Sequence, residues 1–441
     1  MNAIRYLNFL AMLEAQDPTS PAFLYPGENG PLSLSYGHLI EKIRAYPIVN
    51  KTSIGVLCDG ALDTIIAIFA YVAAKKQIVM LNPMDKPDLL AKQIAIGEVD
   101  YLVGNKPLAQ SLSSCLTKGL DHPSSDLLFF TSGTTNSNKA VVLTEQNFCN
   151  SAYNGGACLP LTKEDTLLCL LPLSHVFGFV CSLLWGLSFG AKIALGRGMR
   201  HFFDDGIYYH ATAVSLVPQI ASFMATNKIW NPEMRLVLIG AGSCPLPILQ
   251  TIQSQGIRVS YGYGLTETSS GVALSTGEDP EAMRVCPDNE ITIAPDGEIL
   301  LKAPTCIMKG YYKNPEATNE VLKDGIFHTG DLGKLDENGL LHIIGRKKDI
   351  LVLSDGTKIF CPEYEQELLP YLKGLDYAIS LKEDKVCLFV GNAEEGFSVQ
   401  EAINAFNLNK PRGQRISKIV YQKEPLPRTQ TAKIKRWALG K

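Results

Sequence analysis

At 441 residues, with 46% hydrophobic and 19% charged side chains, the chain is long enough for two or three domains that each bury a core. A formal net charge of −3 removes any general attraction to nucleic acid or to an anionic membrane, so basic surface has to be local. The 11 cysteines form no C-x-x-C pair, the start Met1-Asn2-Ala3-Ile4-Arg5 is not an apolar signal segment, and the longest apolar run is too short to span a bilayer. These features predict free thiols in a reducing, cytoplasmic setting and no membrane span.

The first clear unit covers residues 53–82. An apolar strand, Ile54-Gly55-Val56-Leu57-Cys58, leads through a turn into an apolar helix and then a second strand, Gln77-Ile78-Val79-Met80-Leu81. A β-α-β unit of this kind implies a parallel sheet covered on both faces.

Next comes the run Phe130-Thr131-Ser132-Gly133-Thr134-Thr135-Asn136-Ser137-Asn138-Lys139-Ala140. Its main-chain N–H groups around Gly133, the hydroxyls of Thr131, Ser132, Thr134 and Thr135, and the ammonium of Lys139 suit the oxygens of a triphosphate such as ATP. It is not a Walker A loop, which needs G-x-x-x-x-G-K-[ST] opening a helix, so a P-loop kinase or ATPase is excluded.

Short apolar strands recur at residues 166–171, 211–216 and 236–239, each beside helical stretches and with no repeat, which gives a layered α/β body. The strand Arg258-Val259-Ser260 runs into what reads as a turn, Tyr261-Gly262-Tyr263-Gly264-Leu265-Thr266-Glu267. Gly262 and Gly264 let a flat ligand approach the backbone, Tyr261 and Tyr263 frame it, and Tyr263 can stack on a purine. Thr266 can bond a phosphate, and Glu267 offers a hard oxygen for Mg²⁺.

After about residue 280 the texture changes to short alternating strands with Asp-Gly and Asn-Gly turns at Asp296-Gly297, Asp324-Gly325 and Asn338-Gly339, which predicts hairpins. The basic run Gly345-Arg346-Lys347-Lys348-Asp349 marks a boundary, beyond which a tail of mixed α/β pattern follows.

Five ordered motifs together resemble the adenylate-forming superfamily of acyl-CoA synthetases, luciferases and peptide-synthetase adenylation domains, over nearly the whole chain. The run 130–140 resembles its T-S-G-[ST]-T-G-x-P-K-G loop, with Asn136, Asn138 and Ala140 in place of Gly, Pro and Gly. Residues 263–267 resemble its Y-G-x-T-E motif. Asp331 in Thr329-Gly330-Asp331 and Arg346 resemble its two ribose contacts. Pro425-Leu426-Pro427-Arg428-Thr429-Gln430-Thr431-Ala432-Lys433-Ile434-Lys435-Arg436 resembles its final motif, in which the lysine, here Lys433, bridges the carboxylate and the α-phosphate.

The resemblance implies a large N-terminal domain of layered mixed sheets with helices over residues 1–346, including a small β-rich subdomain over about 281–346. It also implies a smaller mobile α+β domain over 347–441, with a hinge at Lys348 backed by Gly356. It further implies ATP-dependent conversion of a carboxylic acid to an acyl-adenylate with Mg²⁺ as cofactor, then transfer to a thiol of CoA or of phosphopantetheine. His175 in Pro172-Leu173-Ser174-His175-Val176-Phe177-Gly178-Phe179 would border the carboxylate, and Gly240, Ala241 and Gly242 would line the adenine and acyl walls.

Amino-acid-activating relatives place an aspartate near the start of the His175 segment, and none stands here. The run 345–354 looks like that of fatty acyl-CoA synthetases, so a fatty or other apolar acid is the expected substrate. The stretch 368–407 is shorter than the usual small domain, which makes an acyl carrier protein, supplied in trans, the alternative acceptor to CoA. The competing class is a non-catalytic sensor of ATP or acyl-AMP, and the presence of Lys433 speaks against it.

Overall fold

The apolar strand Ser53–Leu57 is buried at every position, and so is Gln77–Leu81, which pairs with it in parallel. The connecting helix Leu62–Ala73 is buried nearly all round, as an element between two layers must be. In the computed structural model, which describes residues 5–131, 139–277, 279–382, 385–394, 396–428 and 434–439, this unit is the centre of a six-stranded sheet. Its order is Gly310–Tyr311, Ala140–Leu143, Leu127–Phe130, Gln77–Leu81, Ser53–Leu57 and Tyr101–Gly104. Pairing is parallel from Leu127–Phe130 onward and antiparallel among the first three strands.

A second sheet has 14 strands and runs from Glu290–Ile293 at one edge to Leu32–Ser35 at the other. Its key member is Arg258–Leu265. The first half pairs in parallel with Leu236–Ile239, and the second half turns antiparallel against Ser270–Ser275, with a register shift between Tyr263 and Gly264. Tyr261 to Gly264 are therefore strand and not turn, a correction with a local cause. A Cβ on Gly262 would lie 2.9 Å from the Leu274 side chain, and one on Gly264 would lie 1.8 Å from the Ser270 carbonyl oxygen. The two glycines make room for the chain's own backbone and core. The hairpins predicted after residue 280 form, and their strands join this sheet through Met283–Val285.

Helix Glu145–Cys158 lies between the layers. Thr144 accepts from the Asn147 N–H while Asn147 accepts from the Thr144 N–H, a reciprocal cap that starts the helix directly after Ala140–Leu143. Its Phe148 meets Phe129 at 5.1 Å and Phe179 at 5.1 Å between ring centroids. This aromatic cluster ties the strand entering the 130–140 loop to the helix that follows His175. That helix, Val176–Phe179, passes through a π-helical turn, Val180–Leu184, into Trp185–Ser188. Such turns recur beside functional sites.

The smaller C-terminal domain joins the three-stranded sheet of Asp376–Lys382, Lys385–Gly391 and Lys418–Tyr421 to helices Cys361–Leu368 and Gln400–Leu408. Its core, from Leu351 to Ile416, draws on no residue before the basic run. Gly356 occupies the tip of the hairpin between Ile350–Val352 and Lys358–Phe360, at φ 83°, where the turn uses its conformational freedom. All 11 cysteines are free thiols, and among the described residues no helix is long and apolar enough to cross a membrane.

Candidate active site

Three of the sequence motifs meet where the two sheets face each other. The 130–140 loop leaves from Leu127–Phe130 and returns at Ala140–Leu143, and its base is closed by a bond from the Thr131 N–H to the Lys139 carbonyl at 3.0 Å. Ser132, Gly133, Thr134 and Thr135 lie outside the described residues, as does Lys433. The Lys139 ammonium lies over the ring of Tyr311, 4.5 Å from its centroid. The Tyr311 hydroxyl donates to Glu267 Oε1 at 2.8 Å. Burial, and then the neighbouring Glu267, push that phenol well above its ordinary pKa, so it is a proton donor at neutral pH.

Glu267 sits with Thr266 in the 3₁₀ turn Thr266–Thr268, both half-buried. The backbone beyond is strained: Ser269 and Ser270 take φ of 53° and 104°. Buried hydrogen bonds from Ser151 Oγ to the Ser269 carbonyl and from Ser269 Oγ to the Cys306 carbonyl, at 2.8 and 2.7 Å, hold it there.

The second cluster surrounds Asp331. Tyr263, 9% exposed, donates its phenol proton to Asp331 Oδ2 at 2.9 Å, and Arg346 Nε reaches Oδ1 at 3.1 Å. Asp331 and Arg346 are also direct partners in the antiparallel ladder. Burial and then the Asp331 charge raise the Tyr263 pKa well above the phenol range. Tyr261 bridges to the third motif, since its hydroxyl donates to the Gly242 carbonyl at 3.0 Å and accepts from the Cys244 N–H at 3.3 Å. Ala241 takes φ 63°, a strained position for a residue with a side chain. Gly240 faces Phe177, whose ring would lie 2.8 Å from a Cβ there.

His175 precedes helix Val176–Phe179, and its carbonyl accepts from the Phe179 N–H at 2.9 Å. Burial lowers its pKa below the ordinary imidazole value, partly opposed by Asp85. Behind this segment is an apolar cavity walled by Ser151 and Gly155 of helix Glu145–Cys158, by Val180, Cys181 and Trp185, and by Leu238 and Leu274.

Sequence reasoning missed several residues here. Tyr311 joins Lys139 to Glu267 from a two-residue strand, too short to carry a pattern. Arg436, quoted within the final motif without a role, pairs with Glu365 at 2.6 and 2.8 Å and with Asp349 at 3.2 Å. Lys347 pairs with Asp296 at 2.6 Å and Glu298 at 3.1 Å, while Glu298 accepts from the Gly330 N–H at 2.9 Å.

A family model described as AMP-binding enzyme matches residues 122–312. The chain is 30% identical over 336 residues to the 2-succinylbenzoate–CoA ligase of Bacillus cytotoxicus, covering 70% of this chain and 68% of that protein. The chain belongs to the AMP-binding, adenylate-forming family. Its acid–thiol ligases activate a carboxylic acid with ATP and pass the acyl group to a thiol, and this chain is such a ligase.

A 2-succinylbenzoate–CoA ligase of Listeria monocytogenes is 27% identical over 97% of this chain and 98% of its own length. In structure the family fold is evident: the O-succinylbenzoate coenzyme A synthetase of Bacillus subtilis in complex with AMP superposes with a TM-score of 0.83 at 22% identity, with 98% of each chain covered. An anthranilate CoA ligase in complex with anthranoyl-AMP superposes with a TM-score of 0.80 at 18% identity, covering 98% of this chain and 96% of that one.

The expectation of a fatty acid finds no support among these relatives, whose names specify 2-succinylbenzoate. The run 345–354 that suggested a fatty acid spends its side chains on Asp331, Asp296, Glu298 and the strand pairing of Ile350–Val352, and none of it lines the apolar cavity.

Proposed function

We propose that the protein adenylates an aryl carboxylic acid of the 2-succinylbenzoate type and transfers it to the thiol of CoA. The observation that carries this reading is the 30% identity over 336 residues to a ligase of that name.

A carboxylate is a poor acyl donor, since its charge is delocalised and its leaving group would be oxide. In the first step its oxygen attacks the α-phosphorus of ATP and the bond to pyrophosphate breaks. In the second a thiol attacks the acyl carbon, loses its proton and displaces AMP. Two anions meet in the first step, so positioning and charge neutralisation dominate the barrier.

In this reading Lys139 and the 131–135 loop hold the β- and γ-phosphates, and Lys433 neutralises the carboxylate and α-phosphate. Tyr263 with Ala241 and Gly242 takes adenine, Gly240 beside Phe177 borders the acyl wall, Asp331 with Arg346 takes the ribose, and Thr266 bonds phosphate. His175, kept neutral by burial, borders the carboxylate. Removing one such positioned charge costs on the order of a hundredfold in rate.

The residues fit Mg²⁺. Glu267 Oε1 accepts the Tyr311 hydrogen bond and leaves Oε2 available, Glu267 has no salt-bridge partner among the described residues, and one carboxylate plus substrate phosphates is the usual setting of that ion. When bound there, it offsets charge on the phosphate oxygens.

Before the second step the C-terminal domain has to withdraw Lys433. We place the hinge at Lys348 and the domain boundary beside it. Lys347 is held to Asp296 and Glu298 on one side, and Asp349 is held to Arg436 on the other. Rotation at the residue between them leaves both ion pairs intact.

The test is to offer 2-succinylbenzoate, benzoate, anthranilate, octanoate and palmitate with Mg·ATP, and either CoA or a phosphopantetheinylated carrier protein, and to weigh the products by mass spectrometry. The expected main product is 2-succinylbenzoyl-CoA. A dominant fatty acyl thioester, or loading of the carrier alone, would refute the reading.

A further inference from the structure

From the placement of its ring and hydroxyl, we infer that Tyr311 is a positioning residue for the adenylation step, aiming Glu267 at the divalent cation and Lys139 at the phosphates through one side chain. This deepens the proposed function and rests on its reading of Glu267 and Lys139.

The segment carrying Tyr311 is fixed from several directions. At one end the Met308 N–H donates to the Glu267 carbonyl at 2.8 Å. At the other, the Lys309 N–H donates to the Val142 carbonyl at 2.9 Å and the Tyr312 N–H to the Ala140 carbonyl at 2.8 Å. Tyr311 faces Val141 across the antiparallel pair Gly310–Tyr311 with Ala140–Leu143, so it stands beside the strand that Lys139 leads into. Its own N–H is taken by Thr318 Oγ1 at 2.9 Å, and Gly310, at φ 148°, lets Thr318 come that close.

The side chain is therefore inserted, 8% exposed, between two groups that the sequence places 128 positions apart, at 139 and 267. The hydroxyl occupies Oε1 of Glu267 and selects one orientation of the carboxylate. The ring face attracts the Lys139 ammonium at 4.5 Å. A phenylalanine would keep the second contact and lose the first, and an aliphatic residue would lose both, which makes the two functions separable.

The experiment measures Mn²⁺ binding by electron paramagnetic resonance on the full chain with a non-hydrolysable ATP analogue, in the parent, Tyr311→Phe, Tyr311→Leu and Glu267→Gln. It is paired with analogue affinity in the absence of any divalent ion. Tyr311→Phe should weaken Mn²⁺ binding about tenfold, as loss of a hydrogen-bonded support of a metal ligand does, and leave metal-free nucleotide affinity unchanged. Tyr311→Leu should also weaken metal-free nucleotide binding, by about fivefold, through the lost cation–π contact. The half-saturating Mg²⁺ for pyrophosphate release should rise in Tyr311→Phe in proportion to the Mn²⁺ constant.

Parental Mn²⁺ binding in Tyr311→Phe, alongside a weakened Glu267→Gln, would overturn this inference while sparing Glu267 as the metal ligand. Parental binding in Glu267→Gln would overturn the role of Glu267 and this inference with it.

Discussion

Tyr263 and Asp331, 68 positions apart, are joined by a 2.9 Å hydrogen bond from phenol to carboxylate, which leaves the other carboxylate oxygen 3.1 Å from Arg346 Nε. The glycine-flanked tyrosine thus orients the acid proposed to receive the ribose. Tyr263→Phe keeps the ring and removes that donor. A hydrogen bond to a charged group contributes about 1.5–3 kcal/mol, so ATP affinity measured calorimetrically should fall about tenfold or more. The KM for the acid should stay near the parent's.

Arg436 is predicted to matter through the lysine three positions before it. Its side chain is 13% exposed and is held by Glu365, Asp349 and the Ile379 carbonyl. Arg436→Gln leaves Glu365 without its charge partner, and breaking a buried pair from one side costs about 3–5 kcal/mol. The final motif should loosen, and adenylation should drop at least about tenfold. Thioester formation from supplied acyl-adenylate should fall much less, and Arg436→Lys should recover part of the loss. Equal losses in both half-reactions would contradict this placement.

His175 gives a pH dependence with a definite sign. Burial lowers its folded pKa below the ordinary value, so between the folded and unfolded values the unfolded chain binds more protons. Stability is then fully present above the unfolded pKa, about 6.5, and is lost as pH falls through the folded value. Urea midpoints should drop between about pH 7.5 and pH 5.5 in the parent and drop less in His175→Gln. An identical drop in both chains would assign the loss to other groups.

Gly240 is predicted to set the fit of the acid. A Cβ there would lie 2.8 and 3.0 Å from carbons of the Phe177 ring, so Gly240→Ala has to push that ring. Overpacking of this kind costs about 1–3 kcal/mol. The KM for the acid should rise about tenfold, with ATP affinity preserved. Unchanged acid kinetics would move the pocket away from Phe177.

Much of this site could be read from the residues, for physical reasons that also mark where reading stopped. Glu267, Lys139, Asp331 and Arg346 stand in motifs whose residue types carry charge chemistry, and the fold gathers them. The β-α-β unit of residues 53–82 declared itself because a strand buried on both faces is continuously apolar. Tyr261 to Gly264 looked like a turn because glycine is rare inside strands, and only the approach of Ser270 and Leu274 explains why it is needed there. Tyr311 was invisible because its importance comes from a pairing with Val141 that no local pattern encodes. The acid was hard to read because residues 345–354, on which a fatty acid was expected, are engaged in ion pairs with Asp296 and Glu298 and in strand pairing.

The most direct test of the account is pyrophosphate exchange into ATP with 2-succinylbenzoate as the acid, in the parent and in Lys433→Ala. The account predicts acid-dependent exchange in the parent and its loss in the variant, with ATP binding retained. Exchange at the parental rate in Lys433→Ala, or none in the parent with 2-succinylbenzoate, would contradict it.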